Sequence, residues 1–287
     1  MSPKKPLDDE DYPTTGHEWD GIREYDKPMP RWWLWTFYAT VVWALGYALL
    51  YPAVPLFDRA TPGMLGYSSR EEVAAAIARA ELANAPLDTR ITSVALEEIG
   101  TDPDLARYAR AGGGAIFRTY CSQCHGSGAA GAVGYPNLLD DDWLWGGGIE
   151  DIYLTIAHGI RDEDDFDSRF SEMPAFGEVL SRDEIAAVVA HLLKISDQTH
   201  DEALAGAGAD IYLENCAACH GDGGAGDPTL GAPRLNDAIW LYGGDAETLT
   251  ETVTYSRYGQ MPPWIDRLSE AELRLVASYV HQLGGGQ

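Results

Sequence analysis

Uncharged, mostly apolar residues run without interruption near the start of the chain, in WWLWTFYATVVWALGYALLY over residues 32–51. A helix of this length spans roughly 30 Å, the thickness of the hydrocarbon core of a bilayer. Tryptophans cluster at one end of the run and tyrosines stand near the other, as in the aromatic belts of membrane helices. The pattern predicts one uncleaved transmembrane helix over residues 32–52, rather than a buried core helix or a signal peptide.

The remainder of the chain shows helical periodicity in two similar copies. Apolar residues recur at helical spacing in LSRDEIAAVVAHLL (180–193) and in LSEAELRLVASYVH (268–281). Ser181 with Glu184, and Ser269 with Glu272, are predicted capping boxes at the starts of these helices. Upstream of each, we expect a helix that ends in a cysteine motif, a long loop, a middle helix and a Met-Pro loop.

The cysteine motifs are CSQCHGSG (121–128) and CAACHGDG (216–223), which together contain all four cysteines. C-x-x-C-H is typical of c-type haem attachment, in which two thiols form thioethers with one haem and the histidine binds its iron. A redox dithiol does not require the histidine, and a zinc site would leave the exact duplication unexplained. The sequence therefore predicts two covalently bound haem c groups, one on Cys121, Cys124 and His125 and one on Cys216, Cys219 and His220.

Two methionines are candidates for the second axial ligand of each iron. Met173 (SEMPAF) and Met261 (GQMPPW) each follow one motif and precede a proline, which favours an extended loop. The alternative is that both are core residues filling gaps. We expect His158, His191 and His281 to be structural or on the surface. The spacing suggests that each methionine serves its own repeat, while a crossed arrangement, which requires intimate packing of the domains, is left open.

Each repeat resembles the class I cytochrome c fold, which is small and all-α. We therefore expect an all-α protein with one N-terminal transmembrane helix followed by two tandem class I cytochrome c domains. Ser69 and Glu72 are a predicted capping box at the start of a short helix in the linker. The predicted segments are a cytoplasmic tail (1–31), the membrane helix (32–52), a periplasmic linker with the short helix (53–104) and cytochrome c domains at 105–196 and 206–284.

The N-terminal tail contains TTGHEWDGIREYDKPMPRWW (14–33), a string rich in aromatic residues. Together with one span and two C-x-x-C-H domains, it strongly resembles subunit III, the dihaem FixP/CcoP-type subunit of cbb3-type cytochrome c oxidase. The resemblance implies an electron-entry subunit without catalytic residues of its own. Such a subunit takes electrons from a donor cytochrome c and passes them to the monohaem and catalytic subunits, which reduce oxygen and pump protons. It also implies that the four cysteines attach haem and that His125, Met173, His220 and Met261 are axial ligands.

Charge and topology narrow the partners and the location. Lys27 and Arg31 directly precede the span, and c-type haem is attached outside the membrane, so we expect a cytoplasmic N-terminus and periplasmic haem domains at a bacterial inner membrane. The net charge of −25 excludes nucleic acid as a partner class. It suits a basic donor protein, or solubility alone. The acidic insert GIRDEDDFDSRFSE (159–172) is either a solvated loop or a docking surface.

Two other functions fit parts of the sequence. A free-standing, membrane-anchored dihaem shuttle would need only a helix as its tether, so the N-terminal string argues against it. A dihaem peroxidase would need one iron with an open position, and the two Met-Pro loops argue against that.

Overall fold

The structure, a computed structural model, describes residues 13–286. They form two compact units, which divide the chain into Met1–Leu82 and Ala83–Gln287. The part of the predicted tail before residue 13 lies outside the described residues. The described residues are predominantly helical, in agreement with the predicted all-α class.

A small β-hairpin in the first unit is an addition to the predicted fold. Strands β1 (Thr14–Trp19) and β2 (Ile22–Tyr25) pair antiparallel, and both are exposed. Asp20 and Gly21 connect them with φ values of 49° and 83°. Positive φ at both central residues is characteristic of a type I′ turn, for which Asp-Gly is a strong sequence signal.

Helix α1 (Arg31–Leu50) occupies the predicted membrane span. It begins after Pro30 and ends before Tyr51, which is followed by a further proline. By length and composition it can cross a membrane, and none of its residues is buried against the described part of the chain. An exposed apolar helix matches what a lipid-embedded anchor requires.

Helix α2 (Ser69–Ser93) is much longer than the short helix predicted for the linker. The predicted capping box at its start is wrong by one position, because Ser68 Oγ accepts from the amide of Glu71 and Glu72 accepts from the hydroxyl of Tyr67. The helix continues through Pro86, which removes one helical hydrogen bond. Ile91, beyond the proline, is fully buried, and its burial offsets that loss.

The second unit contains nine further α-helices among the described residues. These are α3 (Leu96–Ile99), α4 (Pro103–Ile116), α5 (Ser122–His125), α6 (Ile149–His158), α7 (Arg182–Ile195), α8 (Glu202–Asn215), α9 (Ala217–His220), α10 (Ala246–Tyr255) and α11 (Glu270–His281). Both predicted capping boxes form, with Ser181 and Glu184 starting α7 and Ser269 and Glu272 starting α11.

The long helices of the two repeats pair crosswise. The first helix of repeat 1, α4, packs on the last helix of repeat 2, α11, and α8 packs on α7 in the same way. Glycines allow the backbones to touch at these crossings. A Cβ atom on Gly113 would lie 2.2 Å from the carbonyl oxygen of Leu275, and one on Gly208 would lie 1.9 Å from that of Ala187. Any side chain there would clash with backbone.

Each hydrophobic core is consequently built from both repeats. The first core joins Phe117 and α6 residues to α11 residues such as Leu273 and Val276. The second joins Tyr212 and α10 residues to Val188 and its neighbours on α7. The repeats follow one another in sequence as tandem units, but they exchange their last helices. The short connection from α7 to α8 explains the exchange, since it places these two helices side by side.

Candidate haem-binding sites

The first cysteine motif lies where α4 ends. A π-helical turn (Phe117–Cys121) connects α4 to α5, which carries the remainder of the motif. Turns of this kind occur frequently at functional sites. Cys121 is half-buried against the first core and Cys124 is exposed. Gly126, with a φ of 79°, ends the helix immediately after His125, so the histidine stands at a fixed corner of the chain.

The second motif has the same arrangement at the end of α8. Cys216 packs against the second core, Cys219 is exposed and His220 is buried. Gly221, with a φ of 75°, ends α9 directly after the histidine. The four thiols form no disulfide, so all are available for covalent attachment.

Both histidines are oriented by a backbone carbonyl. Nδ1 of His125 lies 3.0 Å from the carbonyl oxygen of Pro136, and Nδ1 of His220 lies 2.9 Å from that of Pro233. Because a carbonyl oxygen only accepts, we assign the ring hydrogen to Nδ1. Burial lowers the pKa of both histidines and so favours the neutral ring. Each Nε2 therefore keeps its lone pair for a metal ion.

The buried thiols do not have the properties of a redox dithiol. Burial raises the pKa of Cys121 to about 11, with a smaller contribution from Cys124. Burial raises the pKa of Cys216 to about 11 as well, again with a smaller contribution from its motif partner. Reactive redox cysteines have lowered pKa values that supply a thiolate. The thiol environment therefore argues against the redox alternative.

The two methionines lie on the cores opposite to those suggested by their spacing. Met261, from repeat 2, packs against the first core together with Cys121. Met173, from repeat 1, packs against the second core together with Cys216. The main chains of Met261 and Ile160 bond in both directions, at 2.9 and 3.1 Å. The expectation that each methionine stays with its own repeat is thus not met, because the Met-Pro loops cross with the last helices.

The residues that meet at each core fit haem c. Each set provides two free thiols, an imidazole with an available Nε2, a thioether and an apolar surrounding, which are the groups this cofactor requires. Structurally, the first set is Cys121, Cys124, His125 and Met261, and the second is Cys216, Cys219, His220 and Met173.

The competing histidines have other contacts. Nδ1 of His158 lies 3.0 Å from a carboxylate oxygen of Asp165 in the acidic insert. The ring of His191 lies 5.1 Å from that of Tyr212, centroid to centroid. Both contacts agree with the structural roles predicted for these histidines.

Comparison with known families decides the relationship. Residues 12–58 match the N-terminal domain of cytochrome oxidase-cbb3, FixP. Residues 109–192 and 203–280 match cytochrome c oxidase, cbb3-type, subunit III. The chain belongs to the cbb3-type cytochrome c oxidase subunit III family.

Relatives align with this subunit III chain over almost its full length. The cbb3-type cytochrome c oxidase subunit CcoP of Cereibacter sphaeroides is 58% identical, over 96% of both chains. The subunit CcoP of Rhodobacter capsulatus is 50% identical, over 99% of both. The subunit FixP of Sinorhizobium medicae is 46% identical, over 96% of this chain and 95% of the relative. The predicted family is confirmed.

Membership of the subunit III family has three direct consequences. Its cytochrome c domains imply haem c as the cofactor. Its relatives are oxidase subunits, so association with an oxidase core is implied. The apolar helix α1 within the matched N-terminal domain indicates membrane anchoring.

Two arginines of this subunit III chain, each four residues before a candidate methionine, were missed by the sequence analysis. The signal was a second alignment of the repeats, SRFSEMP (168–174) with SRYGQMP (256–262), which we call the Met segments. The guanidinium carbon of Arg169 lies 5.9 Å from the ring centroid of Trp145, and that of Arg257 lies 4.8 Å from that of Tyr242. Each arginine therefore stays with its own repeat, and the chain crosses to the other core between the arginine and the methionine.

Proposed function

We propose that this chain carries two covalently bound haem c groups and relays electrons from a donor cytochrome c to the monohaem and catalytic subunits of a cbb3-type oxidase. The presence of a complete donor set on each of two cores carries the proposal. When bound, haem c supplies a one-electron couple whose potential the axial ligands and the surroundings adjust.

The proposed ligand sets are crossed. Cys121, Cys124 and His125 hold the first haem together with Met261, and Cys216, Cys219 and His220 hold the second together with Met173. Each methionine packs against the core that also holds a cysteine of the other repeat, which supports this assignment.

The protein's own residues suit a relay rather than a catalyst. The carbonyls of Pro136 and Pro233 fix the two imidazoles, so their positions need not change between oxidation states. The thioethers of Met173 and Met261 would hold the irons together with the two imidazoles, and thioether ligands would raise the reduction potential. With an imidazole and a thioether from the chain on each iron, neither site would have a place for a substrate, which argues against peroxidase chemistry.

The proposed location is the bacterial inner membrane, with α1 as a single span, the N-terminus in the cytoplasm and the haem sites in the periplasm. Covalent haem attachment outside the membrane and the basic residues before α1 support this orientation. Protease treatment of spheroplasts should digest the haem-bearing part and leave a protected tag at the N-terminus. Digestion of the tag instead would reverse the orientation.

The proposed donor is a soluble or membrane-bound cytochrome c with a basic face. The net charge of −25 supports this partner, because opposite charge speeds the encounter and makes it salt-dependent. Extraction in a mild detergent should recover the chain together with a haem-copper core. A solitary haem-stained band would instead favour a free-standing shuttle.

The crossed ligand sets can be tested in chains that carry a single haem. With Cys216 and Cys219 both changed to alanine, only the first motif can attach haem. In that background, we expect Met261→Leu to abolish the far-red absorption that marks a methionine sulfur on ferric haem, and Met173→Leu to preserve it. The reciprocal background, with Cys121 and Cys124 changed to alanine, should reverse the two results.

Other outcomes would reject parts of the proposal. If each methionine variant affected the haem of its own repeat, the ligands would be uncrossed. If the mass of the unaltered chain showed fewer than two attached haems, the proposed relay itself would fail.

A further inference from the structure

One short segment contacts both Met segments. Ile160 exchanges backbone hydrogen bonds with Met261, at 2.9 and 3.1 Å. The next residue, Arg161, donates its amide to the carbonyl of Arg169, at 2.8 Å. Its own carbonyl accepts from the side chain of Gln260, at 2.7 Å. The main chain at residues 160–161 thus bonds to both Met segments.

The side chain of Arg161 repeats this double contact. Its Nε donates to the carbonyl of Ser171, at 2.5 Å, and its Nη1 donates to the carbonyl of Gly259, at 2.8 Å. Ser171 and Gly259 occupy the same position in the aligned Met segments, two residues before each methionine. One guanidinium therefore bonds to equivalent points of both segments.

The groups around Arg161 keep its positive charge in a fixed position. The guanidinium carbon lies 5.3 Å from the ring centroid of Tyr258 and 6.0 Å from that of Trp145. Burial lowers the pKa of Arg161, but an arginine remains charged at any ordinary pH. The exposed Glu172 adds an attractive charge.

The backbone gives no reason for arginine at this position. Arg161 has a φ of 56°, in the left-handed region where glycine is free of strain. Main-chain bonds from Ile160 already hold Met261, and Ser256 Oγ donates to the carbonyl of Met173. What Arg161 adds is a planar fork that reaches two carbonyls and carries a positive charge.

We infer that Arg161 is a positioning residue shared by both haem sites, which ties the two Met segments together and raises both reduction potentials with one positive charge. The inference rests on the proposed function, because it requires Met173 and Met261 to be axial ligands. A nearby positive charge favours the reduced iron, and a firmly held thioether does so too.

The test uses the full-length, haem-loaded chain in detergent and titrates both haems by spectroelectrochemistry. In Arg161→Gln, we expect the equilibrium constant for reduction to fall about tenfold at both haems, which is about 59 mV for a one-electron couple. Arg161→Lys keeps the charge, so it should recover most of the loss at both.

Arg274→Gln is the matched control. Arg274 is also a half-buried arginine, and its Nη1 donates to two carbonyls, those of Ile91 and Val94. Unlike the partners of Arg161, neither carbonyl belongs to a Met segment. Its variant should keep both potentials of the unaltered protein.

Three results would overturn the inference: unchanged potentials in Arg161→Gln, a change at one haem only, or a lysine variant as low as the glutamine variant. If Arg161→Gln fails to accumulate, Arg161→Gly carries the test, since glycine relieves the left-handed backbone while removing the fork and the charge. The glycine variant should show the same double loss, and unchanged potentials would overturn the inference. Haem counts and the methionine variants above report separately on the proposed function.

Discussion

The main chain of Met261 forms two hydrogen bonds with that of Ile160, although the two residues belong to different repeats. This pairing brings the Met-Pro loop of repeat 2 to the core that contains the first cysteine motif. The helix that follows the loop, α11, completes the same core. Function and folding of each half therefore depend on residues from the other.

The contact between α7 and α8 should tolerate no side chain at Gly208. A Cβ atom there would lie 1.9 Å from the carbonyl oxygen of Ala187, so the helices would have to separate. We expect Gly208→Ala to lower the free energy of unfolding by about 3 kcal/mol, the range for overpacked cores. Denaturant unfolding of the haem-loaded chain measures it.

Gly206, on the same helix, is the control. It is exposed, and a Cβ atom added to it would meet no atom of the described chain within 4 Å. Gly206→Ala should raise the free energy of unfolding by about 0.5 to 1 kcal/mol, through helix propensity alone. Equal effects of the two substitutions would contradict the close crossing.

The buried hydroxyl of Tyr212 should contribute to the second proposed haem site. It donates to the carbonyl of Gly221, at 2.8 Å, directly after His220, the proposed iron ligand. Tyr212→Phe should cost about 1 kcal/mol, because that carbonyl loses its buried partner. Thermal unfolding measures the loss, and Tyr255→Phe, at a tyrosine that is 72% exposed, should have no effect. If Tyr212→Phe left the thermal stability unchanged, the result would show that water replaces the hydrogen bond.

The capping boxes offer a test of the exchanged helices by hydrogen–deuterium exchange. Ser269→Ala removes the cap of α11 and should cost about 1 kcal/mol. Because α11 packs on α4, amide exchange should rise in α4 and remain unchanged in α8. Ser181→Ala, at the start of α7, should give the opposite pattern. Faster exchange within the substituted repeat alone would contradict the crossed cores.

A half-buried carboxyl should make stability depend on pH. Burial raises the pKa of Asp142 to about 6, with further contributions from Asp237 and Asp140. The folded protein therefore binds more protons than the unfolded chain between about pH 4, the ordinary value for aspartate, and the raised value. Stability should fall as the pH rises through this window.

Asp142→Asn should remove that fall and add about 1 kcal/mol of stability at neutral pH, because solvent screens the interactions of a half-buried carboxyl. Urea unfolding at several pH values measures both effects. Asp141→Asn, at the exposed neighbouring position, removes only the smallest of the charges that raise this pKa, so it should retain most of the pH dependence of the unaltered protein. An unchanged slope in Asp142→Asn would assign the pH dependence to other groups.

Much of the site could be predicted because its chemistry is local. The order Cys, Cys, His and the Met-Pro pairs are short patterns whose residue types are dictated by the cofactor. The caps of α7 and α11 are also local, since Ser181 and Ser269 each act on an amide three residues away. Such features need no knowledge of the distant chain.

The exchange of the last helices could not be predicted from the repeats themselves. Helices α7 and α11 present similar apolar stripes, so either would fit either core. The length of the connection decides which core each helix joins. The few residues between Ile195 and Glu202 were the available clue. The hairpin was missed for a different reason, because the tail was interpreted through its aromatic residues and the turn signal of Asp20 and Gly21 was not used.

Helix α11 completes the core of the first cysteine motif, which is the motif farther from it in sequence. A ribosome makes the chain from its N-terminus, so the centre that emerges earliest is the one finished last. A premature stop just before Glu270 would spare every cysteine and histidine of both motifs, yet it would open the earlier centre to water while leaving the later one enclosed. Because the repeats share their last helices in this way, neither repeat can be separated from the other and still have a complete core.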